Sequence, residues 1–173
     1  NIKYEPSVLP LIALNARGSF RDAESLLDKC INFTAQDKLI SLKEVKDLLG
    51  IVEVRQISQL VDLIIKKDAK ETISYLSSLA DEGVDLQEFA KTLIFYVRQC
   101  LLFKISSNLV SSENTGLSTE EIEKIKTQVI NITERELQKM LELFIEAENK
   151  MQYATILQLP LELAIIDITF KEQ

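Results

Sequence analysis

One helix-opening signal recurs along this chain. A Ser, Thr or Asp is followed three residues later by Glu, then by apolar residues at three- and four-residue spacing. It stands at Ser41/Glu44, Asp68/Glu71, Asp85/Glu88, Ser118/Glu121 and Thr133/Glu136. The short side chain accepts from a free N–H of the first helical turn, and the Glu can reach back to the cap residue's own N–H. Gly18, Gly50 and Gly83 stand where a left-handed residue closes a helix. Elsewhere glycine and proline are scarce: 4 and 3 in 173 residues, too few for the turns of an all-β protein. No stretch sustains strict apolar–polar alternation. The fold class predicted is all-α.

The signals divide the chain. A helix over about 6–15, one capped by Ser19 with Ala23, Leu26, Leu27 and Cys30 as its apolar stripe, and a short one carrying Val45, Leu48 and Leu49 make a three-helix bundle over residues 1–50. Residues 51–173 read as a larger helical domain. Its first helix, about 53–67, carries Val54, Ile57, Leu60, Val61, Ile64 and Ile65; the next carries Ile73, Leu76 and Leu79. A long helix over 85–106 is apolar nearly all round in its second half, and the polar residues 107–116 read as a mobile loop. Two more helices follow, and Pro160 suits the first turn of a closing helix over about 161–170. The apolar excess on the 85–106 and 161–170 helices is more than a small bundle readily hides, which suggests a subunit interface.

Several chemistries are excluded. The chain has no histidine, so it has no Ser-His-Asp triad, no imidazole base and no His-ligated zinc. Phosphate-loop, dinucleotide-fingerprint and nucleophile-elbow patterns are missing. Glu120-Glu121 and Asp81-Glu82 sit at helix ends as solvated charge. With 27 acidic against 20 basic side chains, a net charge of −7, a basic nucleic-acid groove is disfavoured, and Lys66-Lys67 is the densest basic cluster. Cys30 and Cys100 belong to no paired motif and read as buried free thiols in a reducing, cytoplasmic setting. Neither a secretory leader nor a membrane-spanning run is evident. A start at Asn1 suggests a piece of a longer protein. No catalytic or metal site is expected in this chain.

Arg21 is the exception that calls for chemistry. It falls in the first turn of a helix, just after the Gly18-Ser19 turn, facing the positive end of the helix dipole. A bound anion such as a nucleotide phosphate would resolve that conflict. So would plain solvent exposure, or pairing with Asp22 or another nearby carboxylate.

The run Gly18-Ser19-Phe20-Arg21-Asp22-Ala23-Glu24-Ser25-Leu26-Leu27-Asp28 resembles the sensor 2 motif of bacterial clamp-loader ATPases, the gamma/tau subunits of DNA polymerase III. Ile2-Lys3-Tyr4-Glu5, Asp47-Leu48-Leu49-Gly50, Glu82-Gly83-Val84-Asp85 and Leu159-Pro160-Leu161-Glu162-Leu163-Ala164 are similar to other segments of that family. The resemblance implies a lid domain over 1–50 and an oligomerising collar over 51–173, without the N-terminal ATPase domain. It implies that Arg21 contacts ATP phosphates held by that missing domain, with ATP and Mg belonging to the parent protein. Through the collar the partners would be other gamma/tau, delta and delta-prime subunits. The sliding clamp and primed DNA would be reached indirectly, through the missing domain. Lys29 stands where the family often has glutamine and Asn15 where it has a small residue; neither bears on the arginine. Two other readings are a helical scaffold or adaptor unrelated to replication and, ranked lowest, a self-sufficient carboxylate enzyme.

Overall fold

A computed structural model describes residues 2–16, 18–33, 39–50, 52–111, 115 and 117–170. Among these the chain is helical, with a single parallel bridge between Tyr4 and Ile40 as its only β pairing. Two compact units divide it, residues 1–51 and 52–173.

The first unit holds α1 (Val8–Asn15), α2 (Phe20–Phe33) and α3 (Leu42–Leu48). Helix α1 starts two residues later than the sequence suggests. The reason is the bridge: Ile40 N donates to Lys3 O at 2.9 Å and Glu5 N to Ile40 O at 3.0 Å, so the backbone stays extended through Glu5. The Glu5 carboxylate also accepts from Leu42 N at 2.9 Å, tying the same strand-like segment to the start of α3. The Ser41/Glu44 box is reciprocal, at 3.2 Å and 3.1 Å. Val8, Ile12, Cys30, Ile40 and Val45 form the core, with Ala23, Leu26 and Leu27 packed against it, so the apolar stripe of α2 faces inward as its spacing demands.

The second unit holds α4 (Val54–Ile65), α5 (Ala69–Asp81), α6 (Leu86–Ile105), α7 (Thr119–Gln128), α8 (Glu134–Met151) and α9 (Leu159–Thr169). Ser118/Glu121 and Thr133/Glu136 form reciprocal capping boxes on α7 and α8. Asp68 and Asp85 cap in one direction only: their carboxylates accept from Glu71 N and from Gln87 N and Glu88 N. At Asp68 the cap residue's own N–H already donates to Leu63 O at 3.3 Å, so it is not open to Glu71.

Helix α6 is the central element. It packs chiefly on α8 and also meets α4 and α7, while α9 lies along α8. Phe89, Leu93, Tyr96, Val97 and Cys100 of α6 are buried among Ile57, Leu60 and Ile64 of α4 and Leu137, Met140 and Phe144 of α8. Each large side chain removed from water contributes about 1.5–3 kcal/mol before chain entropy is counted. Within the polar stretch, Ser107–Leu109 make a 3-10 turn and Val110 is buried, so residues 107–110 are more regular than a loop reading implies. Residues 112–114 and 116 of that stretch lie outside the described residues.

Candidate functional site

Three features of the surface can do something beyond holding the fold. The first is the turn into α2. Gly18 takes φ +86°, a conformation that an L side chain resists, and this lets Ser19 N bond to Ala16 O at 2.8 Å. Ser19 Oγ then accepts from Asp22 N at 3.3 Å and caps the helix. Arg21 is exposed in this first turn, and its neighbour Phe20 is 84% exposed. The guanidinium makes no ion pair among the described residues, with Asp22 or any other carboxylate. Local structure thus presents a cation, an aromatic ring and the free N–H groups of a helix start together at the surface of the first unit.

The second feature is apolar. The apolar girth of α6 and α9 resolves mostly into core: Leu161, Ala164, Ile165 and Ile168 line the inner face of α9, and on α6 only Phe95 and Ile105 among the large apolar side chains are exposed. Exposure concentrates instead where α8 turns into α9. Tyr153 (88%), Ile156 and Leu157 sit on that connection, and Leu159 continues them with Leu163 one helical turn further on. Backbone bonds from Tyr153 N to Lys150 O (3.1 Å) and Leu159 N to Ile156 O (3.1 Å) hold the connection in compact turns. Leu163 belongs to the apolar excess that the sequence places on the closing helix, whereas Tyr153, Ile156 and Leu157 carry no such signal because they lie in no periodic segment.

The third feature is a polar clasp with a cleft beside it. Gln128, at the end of α7, donates to Ser58 O at 2.8 Å and to Asp62 Oδ1 at 2.7 Å, and accepts from the Tyr96 hydroxyl at 2.7 Å. Lys124 donates to the other Asp62 oxygen at 2.6 Å. Every hydrogen-bonding atom of the Gln128 amide region is engaged, as burial requires. Burial pushes the Tyr96 phenol far above its ordinary range, helped by the nearby Cys100 and Asp62, and pushes the Cys100 thiol up to about 12. Both groups are therefore neutral and inert in the folded state. A cleft of about 990 Å³ runs between α4 and α7 from Val54, Arg55, Ser118 and Glu120 to the clasp itself, where Ser58, Asp62, Tyr96 and Lys124 also line it.

Among the described residues no group of carboxylates or thiols is placed to hold a metal ion, and no helix is long and apolar enough to cross a membrane.

The fold has a counterpart in the solved structure of a Bacillus subtilis DNA clamp loader delta protein, with a TM-score of 0.58 over 97% of this chain and 51% of that one, at 17% identity. That likeness is one of fold: the class is all-α. Residues 40–173 match the family described as DNA polymerase III subunits gamma and tau domain III, and residues 1–36, which include Arg21, match the DNA polymerase III clamp loader subunit ATPase lid domain. The chain belongs to the DNA polymerase III gamma and tau family. A DNA polymerase III subunit gamma of Buchnera aphidicola is 26% identical over 92% of this chain, and Protein STICHEL-like 1 of Arabidopsis thaliana 28% identical over 90%. The chain spans only 43% and 13% of those two relatives. These findings favour a clamp-loader segment over an unrelated helical scaffold. The domain III match begins at 40, whereas Ile40 is buried in the first unit and paired with Tyr4, so residues 40–50 pack with the lid match although they align with the next domain.

Proposed function

We propose that residues 1–50 act as the lid over a nucleotide held by the ATPase domain of a longer clamp-loader subunit, and that 51–173 form the collar that assembles such subunits. In this reading Arg21 contacts the phosphates of ATP and passes nucleotide state to the lid, and so to loading of the sliding clamp on primed DNA. The observation that carries it is the exposed, unpaired Arg21 in the capped first turn of α2, within the residues that match the lid family. A guanidinium beside free helix N–H groups suits phosphate oxygens in charge and in geometry. When bound, Mg²⁺ in the ATPase domain would neutralise part of the phosphate charge; this chain supplies the arginine and no base or nucleophile. One arginine cannot retain a triphosphate, so the chain by itself turns over no ATP and binds it negligibly.

The collar role rests on the apolar corner at Tyr153, Ile156, Leu159 and Leu163, which suits burial against a neighbouring subunit of the gamma/tau, delta or delta-prime type. Such an assembly works in the cytoplasm and touches no membrane. The test of the nucleotide role is Arg21→Ala in the longer subunit. Clamp loading should fall at least about tenfold, as expected for a lost charge-assisted phosphate contact, while subunit assembly is retained. Unchanged loading contradicts the role.

A further inference from the structure

Helix α7 is attached to its unit in an uneven way. Its own buried residues are Ile125 and Gln128, whereas α8 buries Leu137, Met140, Phe144, Ala147 and Met151. What α7 lacks in apolar contact it replaces with polar contact at one end: Gln128 on Ser58, Asp62 and Tyr96, Lys124 on Asp62, and Lys104 of α6 on the Val129 carbonyl at 2.7 Å. A cleft separates α7 from α4 along most of its length, down to the clasp, and at its start Ser118, Thr119 and Glu120 are exposed. The element with the least buried apolar surface in a bundle is the one that opens before the whole unfolds.

The geometry points to α7 being a hinged strap that opens from the second unit as a separate step, latched shut by the Gln128–Asp62–Tyr96 clasp. The residue it shields is identifiable. Tyr96, Cys100 and Lys104 recur every four residues and share one face of α6; the first bonds Gln128 and the last bonds Val129 O, so Cys100 faces the same stretch between them. Cys100 is 1% exposed and its thiol is held neutral by burial, so it reacts only in molecules whose strap has opened. Opening also bares the Tyr96 phenol and the inner wall of the cleft. This device is independent of the nucleotide and assembly roles and survives if either fails.

The test is native-state thiol labelling of the chain with a small disulfide reagent, read site by site by mass spectrometry, together with amide exchange. Cys30, in the first unit, serves as the internal reference. Cys100 should label, and the α7 amides exchange, at a common opening free energy below that of the α8 core amides and with a weaker dependence on urea. Replacing the latch by Gln128→Leu should speed Cys100 labelling roughly ten- to a hundredfold, the effect of stranding buried polar partners. Three results would each overturn the proposal. The first is Cys100 labelling only with the full urea dependence of global unfolding, and the second is Cys100 labelling while α7 stays protected. The third is an unchanged labelling rate in Gln128→Leu.

Discussion

Removing a single oxygen tests the energetics of the buried clasp. Tyr96 is 1% exposed and its hydroxyl donates to Gln128 Oε1 at 2.7 Å; the amide nitrogen of Gln128 is already committed to Ser58 O and Asp62. Tyr96→Phe keeps the ring and its packing and leaves Gln128 Oε1 without a donor inside the bundle. Gln128 is 5% exposed, so water offers little replacement. The lost bond and the stranded acceptor together cost about 1–3 kcal/mol. For a unit of about 120 residues, the unfolding entropy is roughly 0.25 kcal/mol/K, so about 2 kcal/mol lowers Tm by about 8 °C. Tyr75→Phe is the control: that hydroxyl reaches Gln56 O only at 3.4 Å from a half-buried position, and its loss should cost under about 0.5 kcal/mol. Urea and thermal unfolding followed by circular dichroism give both values. Equal stability of the two variants would refute the view that the Tyr96–Gln128 bond holds α7 in place.

Alkaline stability follows from the same burial. The Tyr96 and Cys100 acids are pushed up in the folded state, so their contribution is complete below their unfolded values and is lost as pH rises past about 9 for the thiol and 10 for the phenol; Cys100→Ala with Tyr96→Phe should flatten the fall in stability between pH 9 and 11, measured by urea titration. Glu136 behaves oppositely: bonds from the Thr133 backbone and hydroxyl hold its carboxyl below the usual range, with Lys67 adding to the effect, so its contribution is present above about pH 4.5 and lost as pH falls further. Glu136→Gln should shrink the acid limb of the stability profile slightly and leave neutral stability within about 1 kcal/mol. At the lid turn, Gly18→Ala places an L residue at φ +86° with open space around its Cβ, so backbone strain alone should lower the stability of the first unit by about 1 kcal/mol in denaturant titrations.

Helix ends were legible because capping chemistry is local. Ser41/Glu44, Ser118/Glu121 and Thr133/Glu136 need only three residues of sequence to declare themselves, and all three close reciprocally. The inward stripe of α2 was legible for the same reason. What sequence could not reveal depends on distant partners. Gln128 and Asp62 are 66 residues apart and look like ordinary polar helix positions until α4, α6 and α7 bring them together with Tyr96. Nor does the all-round apolar character of α6 and α9 distinguish a central helix from an interfacial one. Packing against α8 consumed most of it; the surplus is Phe95 and Ile105 on α6 and Leu159 and Leu163 on α9, the last two continued by Tyr153 and Ile156 of the connection. Around Arg21 the sequence supplied residue types and spacing, while the choice among solvent, carboxylate and anion needed the three-dimensional surroundings, which leave the guanidinium unpaired among the described residues.

Mass determination in solution reaches the centre of the account, because a collar exists to join subunits. Light scattering should find the chain in concentration-dependent association with itself, or in a defined complex when mixed with a clamp-loader delta subunit, and Tyr153→Ser with Leu163→Glu should abolish both while leaving the helical circular dichroism intact. A strictly monomeric chain that ignores such a partner, or an assembly indifferent to those two substitutions, would contradict it.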